Sequence, residues 1–561
     1  MARTPLLRAF QRLAEEHRTS ARLGITPEEL RGRRNEAAYS RRDFLKRAGV
    51  AGAAVAVAGP AAFARPASAR GNAPRIAIIG AGIAGLSAAL TLADAGVTST
   101  VYEAGTDHVG GRMHSDRSGY WSNGQISEFC GELIDTAHET ILGYADRFGL
   151  TAVDLIAAQP QGTDDTYYFL GDYYSTRQAD RDFRPVNRVL VQQTNDAGYP
   201  TTWDSSTPTG RMLDHMSVYD WIETYVPGGH GSPFGRLLDA AYGEEYGAET
   251  KDQASLNLVY LLGFQPDTHG LSIFGASDER FHIAGGNQQI PEAIADHIGR
   301  QNIKQGWAMQ SIKTNSDGSV TMSFSTPGRT QSVTADQVIL CMSFAVLRTL
   351  DYSRAGFDHR KQTAITQLGA GRNAKLQLQF ANRLWNAQGS NGNVYTDLGI
   401  QNAWDVTRGQ NGGTGILVDY SGGNNAGGYT PSKPYSNAAD NAQVTGYAKA
   451  FLSKLETVYP GITKQWNGKA TLSTPFRDPL LNCSYSYWRV GQYTSFSGYE
   501  GVPQGNIHFA GEHCSQDFQG FMEGGASEGV RAAQEILDDL SMPTHHRGHG
   551  PRRDRWDSTR R

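Results

Sequence analysis

Three glycines near residue 80 have the spacing of a nucleotide-binding turn. Gly80, Gly82 and Gly85 form a G-x-G-x-x-G pattern that follows the apolar run 75–79 and precedes a segment rich in Ala and Leu. This order predicts a strand, a tight turn and a helix whose N-terminal N–H groups bind a pyrophosphate. Glu103 ends the next apolar run, 23 residues after Gly80. A carboxylate there accepts from ribose hydroxyls and repels a 2′-phosphate, so the pattern predicts a dinucleotide other than NADP.

A second glycine-rich helix start, residues 520–526, stands 440 residues after the first. It follows the apolar run 507–510, which closes on Glu512, and it leads into a helical pattern. Arg112, directly after Gly111, can reach back to a pyrophosphate as a charged donor. An NAD site needs no second anchor, whereas extended FAD does. We therefore predict FAD, with Glu512 at its ribityl or pyrophosphate region and the second turn near the flavin ring.

Composition and charge exclude several classes of protein. The 561 residues suffice for two or three domains, and 10% aromatic residues argue for a large core rather than disorder. Residues 1–70 carry a net charge of +8 and residues 541–561 carry +4, which leaves −16 for residues 71–540 of the overall −4. An acidic body repels nucleic acid, so the basic ends are interpreted as an address and a tail. The four cysteines are too few and too scattered for a disulfide scaffold or a zinc site, and no metal is expected.

The address is an export signal. Residues 40–46, with the pair Arg41 and Arg42, match the twin-arginine pattern, and a weakly apolar Ala/Gly/Val stretch follows at 48–64. Residues 67–69 read Ala-Ser-Ala, which suits a signal peptidase. The alternative is a basic amphipathic helix with a linker. We expect export to the periplasm or the medium, no stable membrane anchor, and a disordered tail at 541–561.

Further motifs in a fixed order resemble the flavin-dependent amine oxidase family, and within it the L-amino acid oxidases. The resemblance spans roughly residues 75–537. Its additional motifs are CGELID at 130–135, FHIAGGNQQIP at 281–291, ADQVILC at 335–341, NAKLQL at 373–378, GILVDY at 415–420 and WRVGQY at 488–493.

Together with the two turns, the resemblance implies a set of FAD contacts. These are Gly80, Gly82, Ile83, Ala84, Gly85, Glu103, Ala104, Gly111, Arg112, Gly131, Glu132, Leu133, Glu512, Gly520, Phe521, Met522, Glu523, Gly524 and Gly525.

The resemblance also implies four catalytic residues. Lys375 matches a buried lysine that holds a water beside the flavin, and Tyr493 and Phe521 match two aromatic residues that wall the substrate. Tyr420 matches a tyrosine that contacts the substrate carboxylate. Each position also has a plainer interpretation, because an isolated lysine in an alternating strand usually faces solvent and the three aromatic residues could be ordinary core residues.

Two departures from the family pattern bear on function. Many L-amino acid oxidases have an arginine for the substrate carboxylate where this chain has Leu133. Either another arginine replaces it, with Arg489 and Arg280 as candidates, or the substrate has no carboxylate. Covalent members carry a cysteine where this chain has Gln492, so we predict non-covalent FAD.

The resemblance implies oxidative deamination of L-amino acids to 2-oxo acids, with release of ammonia and hydrogen peroxide and O2 as the electron acceptor. Glu132 either attracts a basic substrate side chain, which would include L-Arg or L-Lys, or forms a local hydrogen bond. The main alternative is a monoamine or polyamine oxidase. A flavin monooxygenase and a flavin-binding protein without turnover are further alternatives.

The implied fold is α/β, with a Rossmann-like FAD-binding domain from residues 74–112, 286–368 and 500–540. An α+β substrate domain with a mixed sheet is expected from 113–180 and 369–499, and a helical subdomain from 181–285. Family members are commonly dimers, so a homodimer is expected.

Overall fold

A computed structural model describes residues 74–266 and 270–541 of the chain. The predicted export signal and linker at 1–69 lie outside these ranges, as does the predicted tail from residue 542 onwards. Those two interpretations therefore stay predictions.

The strands are numbered in chain order as follows: β1 Ile76–Ile79, β2 Thr100–Glu103, β3 Ser115–Asp116, β4 Ser127–Glu128, β5 Ala152–Asp154, β6 Asp164–Phe169, β7 Asp172–Tyr173, β8 Phe281–Ile283, β9 Ile303–Gln305, β10 Ala308–Thr314, β11 Val320–Thr326, β12 Arg329–Ala335, β13 Gln337–Leu340, β14 Asp351–Arg354, β15 Gly369–Ala370, β16 Asn373–Phe380, β17 Ser390–Thr396, β18 Asn402–Asp405, β19 Gly415–Gly422, β20 Tyr435–Asn437, β21 Trp466–Ser473, β22 Ser486–Tyr487 and β23 Ile507–Phe509. The α-helices are α1 Ile83–Asp94, α2 Glu139–Arg147, α3 Thr176–Ala197, α4 Pro208–Asp214, α5 Val218–Tyr225, α6 Pro233–Glu245, α7 Ser255–Leu262, α8 Gln289–Ile298, α9 Phe344–Leu347, α10 His359–Gln367, α11 Leu384–Ala387, α12 Gly423–Gly427, α13 Ala442–Val458, α14 Gln492–Phe496 and α15 Met522–Ser541.

A five-stranded parallel sheet has the order β23-β13-β1-β2-β9. Every residue of β1 is buried, as expected for a central parallel strand covered on both faces. Because parallel strands end at one edge, the turn at Gly80, Glu103 and the segment leading to Glu512 lie at the same edge. The sheet joins strands from three distant segments of the chain.

Helix α15 packs against α1, and this contact brings the two glycine-rich turns together. The helices share a core that includes Leu86, Leu90 and Ile536. The approach is close enough to exclude side chains, because a Cβ at Gly529 would lie 2.1 Å from the Ala84 carbonyl oxygen. The 440-residue separation in sequence thus becomes a direct helix contact.

A second, eight-stranded sheet has the order β20-β21-β16-β19-β18-β17-β6-β7. It is mixed, because β17 and β6 are parallel whereas β16 is antiparallel to both its neighbours. Leu376 and Leu378 of β16 belong to a core cluster that also contains Phe451 of α13. Lys375 lies opposite Tyr420 in the β16–β19 pair and is only 5% exposed.

The remaining elements surround these two sheets. A four-stranded sheet has the order β12-β11-β10-β14, and helices α3 to α7 lie between residues 176 and 262. Across the described part of the chain, every helix is too short or too polar to span a lipid bilayer. The α/β architecture predicted from the sequence is confirmed.

Candidate active site

A cavity of about 780 Å³ extends between the two glycine-rich turns and the large mixed sheet. Its lining comes from the edge of the parallel sheet, the loop after β4, strands β16, β18 and β19, and the start of α15. Such a volume is in the range of sites for cofactors and drug-sized ligands. The elements that carry the sequence motifs therefore border one cavity.

The end of the cavity at α1 has the form of a dinucleotide site. Gly80 has a φ of 107°, and a Cβ at Gly85 would lie 2.0 Å from the Gly80 carbonyl oxygen, so turn and helix require glycine at both positions. The Glu103 carboxylate accepts from the backbone N–H of Ala81 (2.7 Å) and of Gly105 (2.7 Å). These bonds fix the acid at the end of β2, where it also lines the cavity.

Glu512 and Arg112 join the two turns. Glu512 Oε1 accepts from an Arg112 guanidinium nitrogen (3.1 Å), and Oε2 accepts from the Gly520 N–H (2.9 Å). The Ser486 N–H and hydroxyl also donate to this carboxylate, at 3.1 and 2.8 Å. Burial alone would raise the pKa of Glu512, but Arg112 and the other donors hold this pKa below its ordinary value. Arg112 and Glu512 thus form an ion pair that is held in place at the cavity wall.

Most of the predicted cofactor residues line the cavity. They are Gly80, Gly82, Ile83, Ala84, Glu103, Ala104, Gly111, Arg112, Gly131, Glu132, Leu133, Glu512, Gly520, Phe521, Met522 and Gly525.

Three of the predicted residues lie elsewhere. Gly85 packs on the Gly80 carbonyl, and a Cβ at Gly524 would lie 2.1 Å from the Phe518 carbonyl oxygen. The Glu523 carboxylate accepts from the N–H groups of Thr140 (3.0 Å) and Ile141 (2.9 Å) at the start of α2. These three residues support the turns rather than line the cavity.

The residues present fit FAD. The cavity reaches from the glycine turn of α1, suited to a pyrophosphate, to the glycine turn of α15 and the aromatic wall beyond it. A Cβ on Gly131 would lie 2.9 Å from Met522 Sδ, so the cavity wall is closely packed between Gly131 and the start of α15. Gly82, Arg112 and Gly520 would hold the cofactor.

Beyond this turn the cavity contains a buried ion pair. Lys375 Nζ donates to Glu132 Oε2 (2.7 Å) and to the Cys130 carbonyl (2.8 Å). The indole N–H of Trp404 donates to Glu132 Oε1 (2.9 Å). Lys375 is therefore not a solvent-facing strand residue. Glu132 forms local hydrogen bonds through both its oxygens, which was one of its two predicted roles.

Aromatic side chains form another part of this wall. Phe521 lines the cavity, and its ring lies 5.2 Å from that of buried His138. Tyr420 and Tyr485 line it too, with their hydroxyl oxygens 2.9 Å apart. Tyr485 donates to the Glu244 carbonyl (3.2 Å), so Tyr420 is the donor of the pair and its oxygen retains acceptor capacity.

The structure places Tyr493 away from the described cavity lining. Its hydroxyl donates to Asn257 Oδ1 (2.9 Å), and its ring lies 5.0 Å from that of Trp488. Tyr485, which the sequence analysis did not select, lies at the wall instead. Gln492 is held by the carbonyl of Gln367 (2.6 Å) and likewise lies outside the described lining.

The two arginines named as candidates to replace the missing one lie outside the described cavity lining. Leu133 lines the cavity, whereas Arg280 pairs with Asp154 (2.6 Å) and Arg489 is outside the described lining. In that lining the guanidinium of Arg112 is paired with Glu512, and the ammonium of Lys375 with Glu132.

Among the cavity-lining carboxyl groups that the sequence analysis missed are Glu245 at the end of α6 and Glu279 in the loop before β8. Burial, together with Glu245, Asp135 and other carboxylates nearby, raises the pKa of Glu279 well above its ordinary value. The Asp135 carboxylate accepts from the Glu279 N–H (2.9 Å) and fixes this loop. This part of the cavity therefore contains crowded carboxyl groups, and the ionised form of Glu279 is disfavoured there.

Comparison with known proteins identifies the class. A sequence profile of flavin-containing amine oxidoreductases matches residues 83–537. The chain belongs to this family and is a flavin-containing amine oxidoreductase with FAD as its implied cofactor.

Individual relatives differ in what they act on. The chain is 23% identical over 497 residues to an L-amino-acid oxidase of Sistrurus catenatus edwardsii, covering 84% of this chain and 88% of that one. It is 24% identical over 493 residues to an L-amino-acid oxidase of Vipera ammodytes ammodytes, covering 83% and 93%. Among solved structures, cyclohexylamine oxidase from Brevibacterium oxydans IH-35A has a TM-score of 0.70 at 22% identity, covering 84% of this chain and all of the other. Putrescine oxidase bound to putrescine has a TM-score of 0.69 at 18% identity, covering 83% and 99%.

Proposed function

We propose that this chain catalyses the oxidative deamination of a primary amine that carries no carboxylate on the reacting carbon. The amine loses two electrons and two protons across its C–N bond and becomes an imine, which water hydrolyses to a carbonyl compound and ammonia. FAD, when bound, supplies the two-electron acceptor and passes the electrons to O2, which becomes hydrogen peroxide.

The chain's own residues bind, orient and dehydrate the amine. Phe521, Tyr420 and Tyr485 provide an aromatic wall that excludes water and leaves the nitrogen lone pair unsolvated. The Tyr420 oxygen accepts an N–H of the substrate, because its own proton is directed to Tyr485. Lys375, with two of its three N–H donors occupied by Glu132 and Cys130, has one donor left for a water at the wall.

The proposed choice of an amine over an amino acid rests on the carboxyl groups that line the cavity. A buried carboxylate requires a cation or several donors. In the described lining Arg112 and Lys375 already have carboxylate partners, and Glu279 adds a carboxyl group whose raised pKa keeps its proton unless a cation lies beside it. A cationic group on the substrate can donate to Glu279 and favours its ionised form, whereas an α-carboxylate would meet only a lysine and an arginine that are already paired in the described lining. This supports the amine oxidase alternative of the sequence analysis.

L-amino acids, the expectation from the sequence, are the second candidate. The curated relatives with 23–24% identity are named L-amino-acid oxidases, and Tyr420 does line the cavity. On this alternative Tyr420 would turn its proton from Tyr485 to the substrate carboxylate.

L-arginine and agmatine, its decarboxylated counterpart, separate the two candidates. We expect the FAD-loaded enzyme to release peroxide with agmatine and to have a kcat/KM at least about tenfold lower with L-arginine. The opposite preference would replace our proposal by the second candidate. Incorporation of labelled oxygen into the product would indicate a monooxygenase. A flavin spectrum that no amine or amino acid bleaches without oxygen would indicate a binding protein.

We also propose export by the twin-arginine route. Replacing Arg41 and Arg42 by lysine should leave active enzyme inside the cell, whereas a variant with unchanged export would contradict the assignment.

A further inference from the structure

We infer that Glu132 is a positioning residue that fixes the Lys375 ammonium and the Trp404 indole at the wall of the amine cavity. The inference rests on the proposed amine oxidation. Both carboxylate oxygens are used: Oε2 by Lys375 at 2.7 Å and Oε1 by Trp404 at 2.9 Å. The two charged side chains are 7% and 6% exposed, so water does not screen their interaction.

The network connects side chains on two strands that are not neighbours in the sheet. Lys375 is on β16 and Trp404 is on β18, and β19 lies between these strands. Glu132, in the loop after β4, bridges both across the face of the sheet. Trp404 in turn packs edge-on against Tyr420 of β19, with the ring centroids 5.1 Å apart. One carboxylate therefore orders three side chains of the cavity wall.

Glu132 also determines where positive charge lies. Two N–H groups of the Lys375 ammonium donate to Glu132 and to the Cys130 carbonyl. The tetrahedral arrangement of the ammonium then fixes the direction of its third N–H. Removing one partner of a buried ion pair leaves an uncompensated charge, which is strongly unfavourable. Without the carboxylate, the Lys375 ammonium has no charged partner in the pair, and its remaining N–H loses its fixed direction.

Other titratable groups near the pair do not substitute for Glu132. Burial raises the pKa of Glu128 to about 7 and that of Cys130 to about 11. The pKa of Glu279 is raised well above its ordinary value, chiefly by burial. Burial lowers the pKa of His282, so this imidazole is neutral. In the described structure none of these four side chains is hydrogen-bonded to the Lys375 ammonium; Cys130 accepts from it only through its backbone carbonyl.

The first test compares Glu132→Gln with Trp404→Phe in the FAD-loaded enzyme. The glutamine keeps the shape and removes the charge, whereas the phenylalanine removes only the second hydrogen bond. We expect Glu132→Gln to retain flavin and to lower kcat about tenfold or more, with a smaller change in KM. Trp404→Phe should lower kcat by less, because it leaves the Lys375–Glu132 ion pair in place. A Glu132→Gln kcat equal to that of the wild type would overturn the inference.

The second test asks whether Glu132 acts through Lys375. In a Lys375→Met background, adding Glu132→Gln should not lower kcat further, because the group that Glu132 positions is gone. The double variant should also have a higher Tm than Glu132→Gln alone, since it buries no unpaired charge. This keeps the test valid if the single variant loses flavin or unfolds. Equal slowing by Glu132→Gln in both backgrounds would refute the inference.

The two proposals fail in different ways. If no amine reduces the wild-type flavin, the proposed function fails, yet the Tm cycle still reports whether Glu132 and Lys375 are coupled. If amines are oxidised but the double-variant cycle shows no coupling in kcat or Tm, only the role of Glu132 fails.

Discussion

Glutamates 512 and 523 provide a matched test of how the cavity holds FAD. Both are buried, at 5% and 3% exposure, and both lie near the second glycine turn. Glu512 accepts from Arg112 and Gly520 and lines the cavity. Glu523 instead accepts from two backbone N–H groups at the start of α2. Replacing each by glutamine removes the same charge from two different structural roles.

The expected costs differ. Glu512→Gln breaks a buried ion pair and turns one acceptor into a donor facing groups that already donate, which costs about 4 kcal/mol. At roughly 2.1 cal/mol/K per residue, the unfolding entropy of a body this large is about 1 kcal/mol/K, so Tm should fall by about 4 °C. Glu523→Gln weakens a helix N-terminal contact and costs about 1 kcal/mol.

Flavin affinity is the decisive measurement. We expect Glu512→Gln to raise the Kd for FAD by about a hundredfold, because Arg112 and the Gly520 turn lose their common anchor. Glu523→Gln should change that Kd by less than about threefold. Titration of apoprotein with FAD, followed by flavin fluorescence, gives both values. Equal losses of FAD affinity in the two variants, or wild-type affinity in Glu512→Gln, would refute the role of the Arg112–Glu512 ion pair in holding FAD.

Three further predictions follow from buried groups. Burial raises the pKa of Glu128 to about 7, so between about pH 4.5 and 7 the folded state keeps a proton that the unfolded state loses. The free energy of unfolding of the wild type should therefore fall over this range, by up to about 1.4 kcal/mol per pH unit. Urea unfolding of Glu128→Gln should lack this pH dependence. Because Gln492 has no thiol and lies off the described cavity lining, denaturation followed by filtration should release all flavin, and colour retained on the chain would contradict this. Glu279→Gln should raise the KM for agmatine about tenfold, while the exposed control Asp539→Asn leaves this KM unchanged. The wild-type KM should fall as pH rises, since Glu279 then ionises. A KM that does not depend on pH would argue against a role of Glu279 in binding the substrate.

The parts of the site that depend on local spacing could be predicted from the sequence. Gly80, Gly82 and Glu103 sit where their motif requires, because a strand, a turn and a helix fix their relative positions. The second turn was found in the same way. Which residues of this turn line the cavity could not be predicted: Phe521, Met522 and Gly525 do, whereas Glu523 and Gly524 do not. That selection follows helical phase, with neighbours three and four residues apart sharing a face.

Residues brought together by the tertiary fold were harder to predict. Tyr485 and Tyr493 lie on either side of a turn in which Gly491 adopts a φ of 81°. Because no long helix or strand connects them, no helix or strand periodicity predicts which of the two rings lines the cavity. Glu279 lies in a loop and Trp404 on a short strand, far in sequence from Glu132. Carboxylates from separate segments become a single electrostatic feature only once the chain has folded. The sequence did supply one clue, the absence of an arginine at Leu133.

The position of the cavity couples FAD binding to folding of most of the chain. Its lining is drawn from residues 79 to 133, 245 to 279, 307 to 350, 373 to 435, 473 to 486 and 511 to 525, so an unfolded chain offers FAD almost none of its contacts. A ligand that binds only the folded state stabilises it by about 4 kcal/mol when present at a thousand times its Kd. A chain of this kind gains that stability where FAD is synthesised, inside the cell. The proposed twin-arginine route accepts folded proteins, so it would suit a chain that acquires such a cofactor before export.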